Sequence, residues 1–86
     1  MAAESAHRRV LVVDDEVLVA EVLTEHLKGG YEVETAHNGA DALGAILRQR
    51  PDVVLLDINM PGMNGVEVLK SIKQIDESIA VVMVTG

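Results

Sequence analysis

A short apolar run that ends in a carboxylate and opens into a Pro/Gly/Asn loop constrains this chain more than any other feature. It reads Asp52-Val53-Val54-Leu55-Leu56-Asp57, then Ile58-Asn59-Met60-Pro61-Gly62-Met63-Asn64-Gly65. A run this short, bounded by turn residues on both sides, predicts a strand buried on both faces. Asp57 then stands at the C-terminal tip of that strand. Two other segments repeat the pattern: Val10-Leu11-Val12-Val13 runs into Asp14-Asp15, and Ala80-Val81-Val82-Met83-Val84 runs into Thr85. In an open parallel α/β sheet, ligands bind in the crevice beyond the carboxyl ends of the strands. The same rule gathers Asp14, Asp15, Asp57 and Thr85 at one place.

The intervening segments fit that sheet. Residues 1–8 are small and polar and read as a frayed tail, with the ordered domain running from 9 to 86. Glu16 to Lys28 reads as a helix capped by Asp14 or Asp15, with Leu18, Val22, Leu23 and Leu27 inward and Gly29-Gly30 as its stop. Tyr31 to Ala36 alternates, with Tyr31, Val33 and Thr35 on one face and Glu32 and Glu34 on the other, which predicts an edge strand. Asn38 caps a second helix with Ala42, Leu43, Ile46 and Leu47 inward, and Arg50-Pro51 ends it. Asn64 caps a third, reaching about Ile75, with Val68, Leu69, Ile72 and Ile75 inward and Lys70 and Lys73 outward. The order is β-α-β-α-β-α-β, with crossovers long enough for an open parallel α/β sheet.

Charge and composition exclude several function classes. Seven basic against fourteen acidic residues leave −7, the wrong sign for direct binding of nucleic acid or an anionic membrane. No apolar stretch approaches the ~20 residues of a membrane span. Without cysteine there is no thiolate or disulfide chemistry, and the first residues lack the apolar centre of a secretion signal, so the cytoplasm is the expected compartment.

Carboxylates gathered at one crevice repel one another unless a cation sits among them. Mg²⁺, a hard ion held by one or two carboxylates plus phosphate oxygens, suits Asp15 and Asp57 as direct ligands with Asp14 assisting through water. Zinc is disfavoured, because His7, His26 and His37 show no ligand spacing and read as surface residues. An Asp beside such a metal can attack phosphorus and become an aspartyl phosphate. Asp57, on the strand between the other two oxygen-bearing tips, is the best placed, and the Thr85 hydroxyl could bond a phosphoryl oxygen. Helix capping accounts for Asp14 and Asp15 taken alone, and strand propensity for Thr85; neither accounts for oxygen at all three tips.

Val10-Leu11-Val12-Val13-Asp14-Asp15-Glu16, Leu55 through Gly65 and Val84-Thr85-Gly86 together resemble the receiver domain of two-component response regulators, which implies a flavodoxin-like α/β fold with strand order 2-1-3-4. The resemblance implies that Asp57 accepts a phosphoryl group from a histidine kinase or phosphotransfer protein. It also implies that Asp14, Asp15, Asp57 and the backbone carbonyl of Asn59 serve Mg²⁺, that Thr85 is the switch hydroxyl, and that the module is a phosphoacceptor and not an enzyme in its own right. A phosphohydrolase of the haloacid-dehalogenase kind, the competing enzyme reading, needs an Asp two residues past the nucleophile; Asn59 stands there.

Receivers of that family continue through another helix, a fifth strand bearing a phosphate-pairing lysine, and a last helix. The chain reads as truncated after its fourth strand, and none of Lys28, Lys70 or Lys73 is at a strand tip to replace that lysine. Ala80 to Val84 is expected to form an apolar edge that pairs with a second copy. A phosphorylation-incompetent fragment acting through that edge is therefore the alternative reading of the isolated chain.

Overall fold

The computed structural model describes residues 8–62 and 64–84. Its elements are β1 (Arg8–Val13), α1 (Val17–Leu27), β2 (Tyr31–Ala36), α2 (Gly39–Arg48), β3 (Val53–Asp57), α3 (Gly65–Ile75) and β4 (Ala80–Val84). The strands form one parallel sheet in the order β2-β1-β3-β4, as the receiver resemblance implies. The expected tail falls almost wholly outside the described residues; β1 begins at Arg8, one residue ahead of the expected domain start.

The period-2 alternation of a strand divides the central strands between two layers. Leu11, Val13, Val54 and Leu56 point to one face, where Ala42, Ala45 and Ile46 of α2 and Val68 and Ile72 of α3 close the main core. Val10 and Val12 point to the other, against Ala20 of α1, with Leu23, Leu27, Val33 and Leu55 packed around them. Asn38 and Asn64 cap α2 and α3 as expected: the Asn38 side-chain oxygen accepts from the Asp41 N–H at 2.7 Å, and that of Asn64 from the Val66 N–H at 2.9 Å.

Four expectations need correction. Neither Asp14 nor Asp15 is the N-cap of α1; Glu16 holds that position, without a side-chain cap bond. Leu18 and Val22 are exposed at 76% and 55%, and Ala20 is the buried residue of α1. Apolar residues crowd the first two turns of the helix, at Val17, Leu18, Val19, Ala20, Val22 and Leu23, so several faces compete, and packing on β1 selects the 20-23-27 stripe. Leu47 is likewise exposed, and Ala45 takes its place against the sheet. Finally, β3 is fully buried only on the face of Val54 and Leu56; Val53 and Leu55 on the α1 side are half-buried. The α1 side has a single described helix to cover it. As expected, β2 and β4 are the sheet edges, and Val82 and Met83 of β4 remain exposed.

Candidate phosphoacceptor and metal site

Register brings the acidic residues together. Val13 pairs with Leu56 across the β1–β3 ladder, so the residues that follow, Asp14 and Asp57, leave the sheet side by side at its carboxyl edge. One carboxylate oxygen from each of Asp14, Asp15 and Asp57 lies within 4.8 Å of the others. Asp14 and Asp57 are buried, Asp15 exposed. The carboxylates form a graded rim, from low accessibility at Asp14 and Asp57 to an exposed outer face at Asp15.

Each buried carboxylate is aimed by a backbone amide two residues further along. The Glu16 N–H donates to Asp14 Oδ1 at 2.9 Å, and the Asn59 N–H donates to Asp57 Oδ1 at 2.9 Å. These local bonds turn the chain out of the strand and fix one oxygen of each group. For Asp57 the bond leaves Oδ2 uncommitted to the Asn59 amide. It also places the Asn59 backbone beside the acidic group, while the Asn59 side chain is exposed. The loop beyond is shaped by Pro61-Gly62, where Gly62 adopts φ +72°, a region that only glycine occupies without strain.

Burial pushes the Asp14 carboxyl above its ordinary pKa; the Glu16 amide opposes this, and the neighbouring carboxylates of Asp57 and Asp15 add to the rise. Removal from water and like charge act together, so the group is poised to gain from a cation. An oxygen-only donor set of this kind suits a hard divalent ion, not a thiophilic or imidazole-seeking one. The described residues thus present an acidic cluster fitted to hold a metal.

Thr85 and Gly86 lie outside the described residues. The strand that leads to them is in place: Val84 pairs with Asp57, and its carbonyl accepts from the Ile58 N–H at 3.2 Å. Lys28 is at the C-terminal end of α1, and Lys70 and Lys73 are within α3, so none of the three is at a strand tip, as expected. The sequence reading missed His37. Its Nδ1 lies 2.9 Å from the backbone oxygen of Asp14. No metal-ligand spacing signals such a contact, and its sole trace in the sequence is the position of His37 directly after the end of β2.

Residues 10–86 match the response regulator receiver domain. The chain belongs to that family. Receiver domains of this family are the phosphoacceptor modules of two-component signalling. The chain is 44% identical over 81 residues to sporulation initiation phosphotransferase F of Bacillus subtilis, covering 93% of this chain and 65% of that protein. It is 41% identical over 84 residues to the DNA-binding response regulator MtrA of Mycobacterium tuberculosis, covering 96% of this chain and 36% of the relative. The receiver chain therefore spans less than two thirds of each of these relatives. Among solved structures, it resembles the response regulator TrrA of Thermotoga maritima in complex with Mg²⁺-BeF, with TM-score 0.83 and 42% identity over 91% of this chain and 69% of that one. A CheY-like receiver domain protein of Methanospirillum hungatei matches with TM-score 0.89 and 32% identity, over 94% of this chain and 66% of that one. No described helix of this receiver domain is long and apolar enough to cross a membrane.

Proposed function

We propose that this receiver domain takes a phosphoryl group onto Asp57 from the phosphohistidine of a histidine kinase or phosphotransfer protein, in a reaction that depends on Mg²⁺. Asp57 Oδ2 attacks phosphorus as the P–N bond to the donor imidazole breaks, and the imidazole leaves with that electron pair and takes up a proton. Asp57 is suited to this role because it is buried at the tip of β3 with its Oδ1 fixed by the Asn59 amide, so Oδ2 meets the donor in a set orientation. Asp14, Asp15, Asp57 and the Asn59 carbonyl would hold the ion. Bound there, Mg²⁺ would neutralise the phosphoryl oxygens during transfer. Thr85, which follows β4 in the sequence, would supply the switch hydroxyl.

The observation that carries this reading is the meeting of three carboxylates within 4.8 Å at the carboxyl ends of β1 and β3. Incubation with a small acyl phosphate and Mg²⁺, followed by intact mass measurement, tests it. One added phosphoryl group is expected, absent in Asp57→Asn and absent when the metal is chelated; phosphorylation that persists in Asp57→Asn would overturn the assignment.

A second reading concerns association of the 86-residue chain. Val82 and Met83 on the β4 edge are exposed at 48% and 37%, and an apolar edge with open backbone groups pairs readily with another strand. Dimerisation through β4, indifferent to Asp57→Asn, is the signature of this mode.

A further inference from the structure

The corner between β2 and α2 holds a contact that the phosphotransfer chemistry does not require. The β1–β2 ladder runs from Arg8 opposite Tyr31 to Val13 opposite Ala36, and continues one bond further, from the Asp14 N–H to the Ala36 carbonyl at 3.0 Å. A parallel ladder would next bring a backbone N–H from β2 to the Asp14 carbonyl. Asn38, the N-cap of α2, would carry that N–H, and no bond from it to the Asp14 carbonyl is made. The His37 ring fills the gap, with Nδ1 2.9 Å from the Asp14 oxygen. A carbonyl oxygen only accepts, so Nδ1 carries the proton in this contact.

We propose that His37 is a positioning residue for the acidic rim: its side chain supplies the missing rung of the β1–β2 ladder and so fixes the peptide that joins Asp14 to Asp15. The proposal rests on the reading of Asp14 and Asp15 as metal-holding groups. The Asp14–Asp15 peptide is held through its carbonyl by His37, and the Asp14 residue through its N–H by Ala36 and its carboxylate by the Glu16 amide. With the rung removed, the peptide plane is free to rotate, and rotation moves the Asp15 carboxylate relative to Asp57. Outer partners that orient ligands typically influence metal affinity by about 10–100-fold. An indirect hold on the backbone belongs at the lower end of that range.

The test compares Mg²⁺ affinity, by calorimetry and amide chemical-shift titration, in the wild-type chain and in His37→Ala, His37→Asn, His37→Gln and Asn38→Ala. In His37→Asn the side-chain amide nitrogen occupies the place of Nδ1; in His37→Gln it stands one bond further out. His37→Ala and His37→Gln are expected to weaken Mg²⁺ binding on the order of tenfold, and His37→Asn to restore most of it. Asn38→Ala loosens the same corner by removing the α2 cap but leaves the rung, so it is expected to bind Mg²⁺ as the wild type does. In chelator, the amide resonances of Asp15 and Glu16 are expected to shift in His37→Ala and return in His37→Asn. Equal affinity in wild type and His37→Ala overturns the proposal while leaving the metal site standing. Equal weakening in His37→Ala and Asn38→Ala also overturns it, by showing a merely structural corner. Absence of Mg²⁺ binding in the wild type overturns the metal reading and this proposal with it.

Discussion

Asp14→Asn should stabilise the receiver domain in chelating buffer while removing most of its response to Mg²⁺. The substitution keeps the side-chain oxygen that accepts from the Glu16 N–H, so no hydrogen bond is lost, and it deletes one charge from a cluster whose oxygens lie within 4.8 Å. At that distance each carboxylate pair costs ~1 kcal/mol with the permittivity of water and ~3.5 kcal/mol with an effective value near 20. The pair with buried Asp57 belongs toward the larger figure and the pair with exposed Asp15 toward the smaller, with salt screening reducing both. A net gain of about 2 kcal/mol follows, or roughly 10 °C in the midpoint of a domain this size. Urea and thermal unfolding followed by circular dichroism measure it. Wild type should also gain about 1.4 kcal/mol at a Mg²⁺ concentration ten times its Kd, and Asp14→Asn much less. The pH dependence supplies a sign. Because the folded state holds the Asp14 proton above its ordinary pKa, the folded state binds more protons than the unfolded one between those two values. Stability in chelator therefore falls as pH rises through that window, and the loss is absent in Asp14→Asn. A variant no more stable than wild type in chelator, or equally responsive to Mg²⁺, would refute the electrostatic account of the site.

Asp76 runs the other way: the Ser78 hydroxyl and amide, with Arg50, hold its carboxyl below the ordinary range, so its contribution is present at neutral pH and lost as pH falls through the lowered value. Ser78→Ala should raise the Asp76 pKa toward the ordinary value, read by carboxyl-carbon NMR titration. Gly62→Ala should destabilise by about 1–2 kcal/mol, since φ +72° forces a methyl group into the left-handed region; an unchanged urea midpoint would contradict that origin. Asn64→Ala removes the cap that receives the Val66 N–H and should cost about 1 kcal/mol, measured the same way. Val82→Lys places a charge on the exposed β4 edge and should shift the 86-residue chain toward monomer in sedimentation experiments; an unaltered monomer–dimer balance would place any association elsewhere.

The fold and most of the acidic site are legible along the chain because both follow from local patterns. Short apolar runs ending in Asp specify parallel strands with carboxylates at their tips, and Asn38 and Asn64 mark the two helix starts where their side chains make the caps. The edge position of β2 was legible as well, since a half-polar alternating segment such as Tyr31–Ala36 belongs at an edge, whereas the full strand order came with the receiver resemblance.

Three features were decided only in the tertiary structure. Which side of α1 faces the sheet was set by the packing of Ala20 on Val10 and Val12, because apolar residues crowd the first two turns of the helix on several faces and give competing inward stripes. The distances among Asp14, Asp15 and Asp57 came from the β1–β3 register, a relation between residues more than forty positions apart that no local pattern encodes. The contact of His37 with the Asp14 carbonyl depends on where the β1–β2 ladder stops, at the Asp14 N–H to Ala36 carbonyl bond just ahead of α2, which leaves that acceptor without a ladder partner. Sequence specifies which groups reach the carboxyl edge of the sheet; packing and register determine how far apart they stand and what holds them there.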